Sequence, residues 1–131
     1  MYDDIFEREK NPHYGATVGR VAGKIRDAKY KLPNGKEVEL KRPPFHENGG
    51  TYGYSRFLWE KTEIVKDVPL DITIDSVTKT GTGIKFTHTS FDKEEGFLGK
   101  VEVECSYLMT DDDELHIKWK AWLHEGQDPT T

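Results

Sequence analysis

His46, Asn48, Tyr52, Tyr54 and Arg56 fall in one short stretch of the chain. Aromatic rings offer flat apolar surfaces, and planar amide, imidazole and guanidinium groups fix the direction of hydrogen bonds. Together they suit a ligand with apolar C–H faces and many hydroxyls, as sugars have. The same residues also fit a surface loop whose tyrosines anchor it to a sheet. They sit in PPFHENGGTYGYS, residues 43–55, where three glycines and two prolines argue for a long irregular segment.

A second stretch, ATVGRVAGKI at 16–25, is small and apolar with two glycines and two cations, Arg20 and Lys24. It is a poor helix interior and a poor plain strand. Other chemistries are excluded by their missing patterns. There is no phosphate loop, dinucleotide fingerprint or C-x-x-C pair. The five histidines lack metal-ligand spacing, and no serine sits in a nucleophile elbow. Asp111-Asp112-Asp113 lacks the glycine and distal glutamate of a calcium loop and reads as a solvated turn. Glu94-Glu95 reads as surface charge.

These residues must be positioned by a chain of 131 residues, a length that suggests one domain over 1–131. Three Trp, six Tyr and six Phe supply core area despite an apolar content of only 34%. A net charge of −5 argues against nucleic acid or an anionic membrane as partner. The start, MYDDIFEREK, lacks the apolar region of a signal peptide, and one cysteine cannot form an internal disulfide. The cytoplasm is the expected location.

Tyr2–Lys10 reads as a short helix ended by Asn11-Pro12. KIRDAKYKL and KEVELK flank Pro33-Asn34-Gly35 as a β-hairpin. Residues 56–66 read as a strand. Residues 72–88 read as a second hairpin turning at Gly81-Thr82-Gly83, with Ile84, Phe86 and His88 on one face. VEVECSYLM and ELHIKWKAWL alternate strictly on either side of the acidic turn. Val101, Val103, Cys105, Tyr107 and Met109 share a face, as do Leu115, Ile117, Trp119, Ala121 and Leu123. The pair is expected to bury that face, with Cys105 and Trp119 as core residues and His88 and His116 partly buried. No parallel βαβ unit is visible, so the class is all-β and antiparallel.

Three segments in order resemble the galactose mutarotase, or aldose 1-epimerase, family. NPHYGATVGRVAGKI is similar to N-P-x-x-G-A-x-x-G-R-x-A-x-R-I, NGGTYGYSRFLW to H-G-G-x-x-G-[FY]-x-x-x-x-W, and DKEEGFLGKVEVECSY to D-G-E-E-G-[FY]-P-G-x-[LV]-x-V-x-x-x-Y. The resemblance implies an antiparallel β-sandwich, here partial. It implies interconversion of the α and β anomers of free hexoses such as galactose or glucose by general acid–base chemistry, with no cofactor and no metal. It names Lys24, Asn48, His46, Gly49, Gly50 and Tyr52 as candidate substrate-binding residues.

Lys24 stands at the family's binding arginine and loses its planar fork. Asn48 stands at the family's histidine in an ungapped reading; a two-residue insertion gives that role to His46 instead. Arg20 is expected to hold neighbouring loops. The sequence stops at AWLHEGQDPTT, short of the family's N-H-x-Y-F-N motif and its later glutamate, so neither catalytic residue is assigned in this chain. A partial sandwich leaves an apolar face to be covered by self-association or a complementing chain. A non-catalytic sugar-binding module and a structural assembly subunit are the alternative readings.

Overall fold

The computed structural model describes residues 13, 15–41, 43–74 and 77–124, with backbone alone at 71–74 and 77. The helix expected over 2–10 lies outside them. Among the described residues the regular structure is eight antiparallel strands and two single 3-10 turns, Tyr54–Arg56 and Glu94–Gly96. The all-β, antiparallel class read from alternation is what the chain adopts. The described residues divide into two units. One holds those up to Leu58 together with Asp92–Gly99; the other holds Trp59–Phe91 and those from Lys100 onward.

The first unit has four three-residue strands: β1 (Lys24–Arg26), β2 (Lys29–Lys31), β3 (Glu37–Glu39) and β4 (Phe45–Glu47). β2 and β3 form the hairpin expected around Pro33-Asn34-Gly35, in the register Tyr30↔Val38. Leu32 and Gly35 close the turn through the Lys36 and Leu32 carbonyls, and the Lys36 amide donates to Asn34 Oδ1. Alternation turns Val38 inward, while Lys29 pairs with Glu37 and Glu39 outside. The core is Ala28, Leu40 and Phe97, with Ile25 and Tyr30 packed on it.

The second unit is one sheet in the order β5 (Lys61–Ile74), β6 (Val77–Ser90), β7 (Val101–Met109) and β8 (Leu115–Leu123). Three expectations are corrected here. The strand expected from Arg56 begins at Lys61, because Tyr54–Arg56 turns instead. The β5–β6 reversal falls between Ile74 and Val77, and Gly81 and Gly83 lie inside β6. Their glycine identity serves close packing: a Cβ at Gly83 would stand 1.9 Å from the Tyr107 oxygen, and one at Gly81 2.9 Å from the Leu108 Cβ. Leu108, opposite Gly83, is fully buried.

The third correction concerns burial. The expected pairing of β7 with β8 is present, and Val103 and Cys105 are buried. The β8 members of that face are not. Leu115, Ile117, Trp119 and Leu123 are 57, 51, 48 and 37% exposed. Ile64, Ile84, Tyr107 and Ile117 form one cross-strand row along it, so the exposed apolar face runs across all four strands. Alternation encodes which side chains share a face, and is silent on what lies over that face. Trp119 meets Trp59 edge to face at 6.1 Å, and Trp59 lies 5.6 Å from the buried His88 ring. Burial pushes the Cys105 thiol up.

On the opposite face Lys85 meets Glu63 at 2.8 Å and Glu104 at 3.7 Å. This contact raises the Lys85 ammonium and lowers the Glu63 carboxyl.

Candidate functional site

β1 and β4 pair in the register Lys24↔Glu47, Ile25↔His46, Arg26↔Phe45. A two-residue period then puts Ile25 and His46 inside and the flanking residues outside. His46 is fully buried. Its Nδ1 donates to the Lys41 carbonyl at 3.0 Å, and its ring stands edge-on to Phe97 with centroids 5.0 Å apart. Its Nε2 is buried without a hydrogen-bond partner. Lys24 points out: its ammonium is 3.8 Å from Glu47 Oε1 and 5.1 Å over the Phe45 ring.

Beyond β4 the chain turns through Asn48, Gly49 and Gly50, all at positive φ. Asn48 and Gly23 bond reciprocally. The Asn48 amide donates to the Gly23 carbonyl, and the Gly23 amide donates to Asn48 Oδ1, each at 2.8 Å. Asn supports this because its side-chain oxygen reaches a neighbouring amide and it tolerates the left-handed region. The residue before Lys24 is thereby fixed against the loop.

Gly49 and Gly50 answer steric demands. A Cβ at Gly49 would lie 1.5 Å from the Gly19 oxygen, and one at Gly50 2.4 Å from Glu95 Oε2. A Cβ at Gly19 would enter the Tyr54 ring at 2.2 Å. The small residues of the 16–25 decamer therefore allow the decamer and the Gly-rich loop to touch backbone to backbone. Tyr54 is buried and its amide donates to the Gly19 carbonyl, whereas Tyr52 is 63% exposed.

Glu95 was not singled out as functional in the sequence, and its reading as surface charge is corrected. It is 3% exposed. Its Oε1 accepts the Tyr52 amide at 3.0 Å, its carbonyl accepts the Lys41 amide at 3.1 Å, and its Oε2 is buried without a partner. One side chain thus holds the loop that carries Gly50 and Tyr52. Two consecutive glutamates look alike in composition; only the buried Phe97 two residues on hints that this segment enters the interior. Arg20 acts beside it. Its Nη1 donates to the Leu98 carbonyl at 3.0 Å, and its guanidinium lies 5.7 Å over Phe97. Arg20 ties the decamer to the 94–99 segment.

Of the residues expected at the site, the structure brings Lys24, Asn48, Gly49, Gly50 and Tyr52 to one neighbourhood. It places His46 beneath them, out of reach of solvent.

The family model described as aldose 1-epimerase matches residues 1–130. The chain belongs to the aldose 1-epimerase family. It is 33% identical over 115 residues to the galactose mutarotase of Mus musculus, a match covering 86% of this chain and 28% of that one. The human galactose mutarotase is 30% identical over the same shares. The maltose epimerase of Levilactobacillus brevis is 27% identical over 121 residues, covering 90% of this chain and 32% of that protein.

Among solved structures, the galactose 1-epimerase of Lactobacillus acidophilus aligns with a TM-score of 0.71 and 20% identity, covering 92% of this chain and 33% of that one. An aldose epimerase homologue from C. elegans aligns at 0.67 and 24%, covering 94% and 34%. These likenesses show that the chain has the aldose epimerase fold, and that it spans about a third of those solved chains.

Proposed function

We propose that this aldose 1-epimerase family chain forms one wall of a cleft for a free hexose, galactose or glucose. In this reading Lys24 and the Asn48–Tyr52 loop face the sugar. His46, Gly49 and Gly50 shape the loop from below. The interconversion of anomers belongs to a longer polypeptide that adds the acid and the base. The observation that carries the reading is the reciprocal Gly23–Asn48 bonding, which ties the backbone next to Lys24 to the Gly-rich loop.

A hexose hydroxyl both donates and accepts, so it can bridge an ammonium and an amide. No cofactor or metal enters this chemistry, and nucleic acid and membrane are not partners in it. Polarimetry of pure α-D-galactose tests the division of labour. The 131 residues are expected to leave mutarotation at the uncatalysed rate. A robust acceleration overturns the claim that the acid and base lie elsewhere.

A second reading rests on the exposed row Ile64, Ile84, Tyr107 and Ile117. An apolar face across four strands favours a covering sheet, from another copy or from a complementing chain. On this reading the chain is a sugar-binding or assembly module. Light scattering reads it directly: a strictly monomeric particle at high concentration counts against a copy as the cover.

A further inference from the structure

We propose that the outward face of the β1–β4 ribbon is a subsite for a neutral sugar ring, with Phe45 as its platform and Glu47 and Lys24 as its hydroxyl-binding pair. The proposal rests on the sugar-cleft reading and extends it to residues outside the Gly-rich loop.

The register is the starting point. His46 is turned fully inward, so Phe45 and Glu47 are turned outward on either side of it, opposite Arg26 and Lys24. A cavity of about 240 Å³ opens there, lined by Pro43, Pro44, Phe45 and Glu47. Three apolar residues and one carboxylate line it. Phe45 is 48% exposed, so part of its ring is open to a ligand.

The polar groups are poised to be reused. The Lys24–Glu47 contact is long, 3.8 Å, and both side chains are about half exposed at 59 and 50%. Such a pair is weakly held in water, so exchanging it for ligand hydroxyls costs little. Glu47 accepts only and Lys24 donates only. Adjacent hydroxyls on a pyranose can satisfy one of each. The ammonium lies over the Phe45 ring, so the cation, the carboxylate and the platform converge on one spot.

Ligand-observed NMR with D-galactose and D-glucose tests the subsite on the full chain. Phe45→Ala and Glu47→Gln are each expected to weaken the dissociation constant about tenfold, the value of one lost contact. Phe91→Ala, which removes a more exposed ring, 61% against 48%, from the second unit, is expected to leave it unchanged. If Phe45→Ala does not fold, Phe45→Leu keeps the apolar bulk and removes the flat ring, and the same weakening is expected. Unchanged affinity in Phe45→Leu and Glu47→Gln, with the wild type binding, overturns the subsite and leaves the cleft reading standing. A wild-type chain that binds neither sugar overturns both.

Discussion

The first unit is built from strands of three residues, and the second from strands of nine and fourteen. Length separates two ways of making structure. In the four-stranded sheet, ladder hydrogen bonds and alternation set the geometry, and side chains divide into a charged face and an apolar one. In the first unit little ladder exists. Its loops are set by single contacts between distant segments: Gly23 with Asn48, Gly19 with Gly49, Tyr52 with Glu95. Every candidate ligand-facing group lies in the first unit, on its three-residue strands or in the turn that follows β4. Where regular pairing ends, backbone can take the left-handed turns that aim side chains, and buried polar atoms must hold it there.

The sharpest way to break this contrast is at the glycines. Gly49 and Gly35 share nearly the same φ, 83° and 86°. They differ in surroundings: a Cβ at Gly49 would overlap the Gly19 carbonyl, while nothing stands within 4 Å of one at Gly35. Gly35→Ala should cost only the left-handed penalty, about 1–2 kcal/mol. Gly49→Ala adds a backbone overlap and should cost more than about 4 kcal/mol or unfold the first unit. Urea unfolding of the two variants measures the difference. Equal costs would show that the decamer and loop separate freely.

Next in size is Glu95. Removing its carboxylate leaves the Tyr52 amide without an acceptor, a loss of about 1–3 kcal/mol for a buried group. Glu95→Ala should speed hydrogen exchange at Tyr52 and not at β7 amides. Glu95→Gln keeps an acceptor oxygen and should restore most of the protection. Equal exchange in all three proteins would show that the loop holds itself.

The smallest effect is expected in the sheet, at its acidic turn. Lys79 lies 2.6 Å from Asp112 and 2.9 Å from Glu114. Lys79 first, then the Thr110 hydroxyl, lowers the Asp112 carboxyl from 3.8 to about 2. A carboxyl lowered on folding stabilises the fold above its unfolded value, and that contribution disappears as the pH falls through the folded value. Lys79→Met should therefore lower the unfolding midpoint slightly near pH 6, with the gap to wild type closing between about pH 4 and about pH 2. A gap that does not depend on pH would assign the effect to lost packing.

What the sequence made legible follows the same division. The β2–β3 hairpin and the β7–β8 pair were readable because their signals are local: Pro-Asn-Gly at a turn, and a strict period of two. Gly81-Thr82-Gly83 misled because glycine serves two purposes. In β6 it makes room for Tyr107 and Leu108 and reverses nothing. Leu115, Ile117 and Trp119 marked a shared face by alternation, and only the resemblance to part of a sandwich gave reason to expect it uncovered. At the candidate site, Lys24 and Asn48 were linked only by family resemblance, since no local pattern reports a bond between Gly23 and Asn48. Glu95 was missed because its partner lies far along the chain, and a carboxylate in a charged run carries no sign of burial.

Tyr52 shows what such an arrangement permits. Its main chain is anchored to Glu95, while the residue is 63% exposed. Position 52 therefore works as a socket: the mount stays fixed whichever side chain is plugged in. On the proposed reading, diversifying this one codon would change what the loop offers a sugar without remodelling the bracket that supports it.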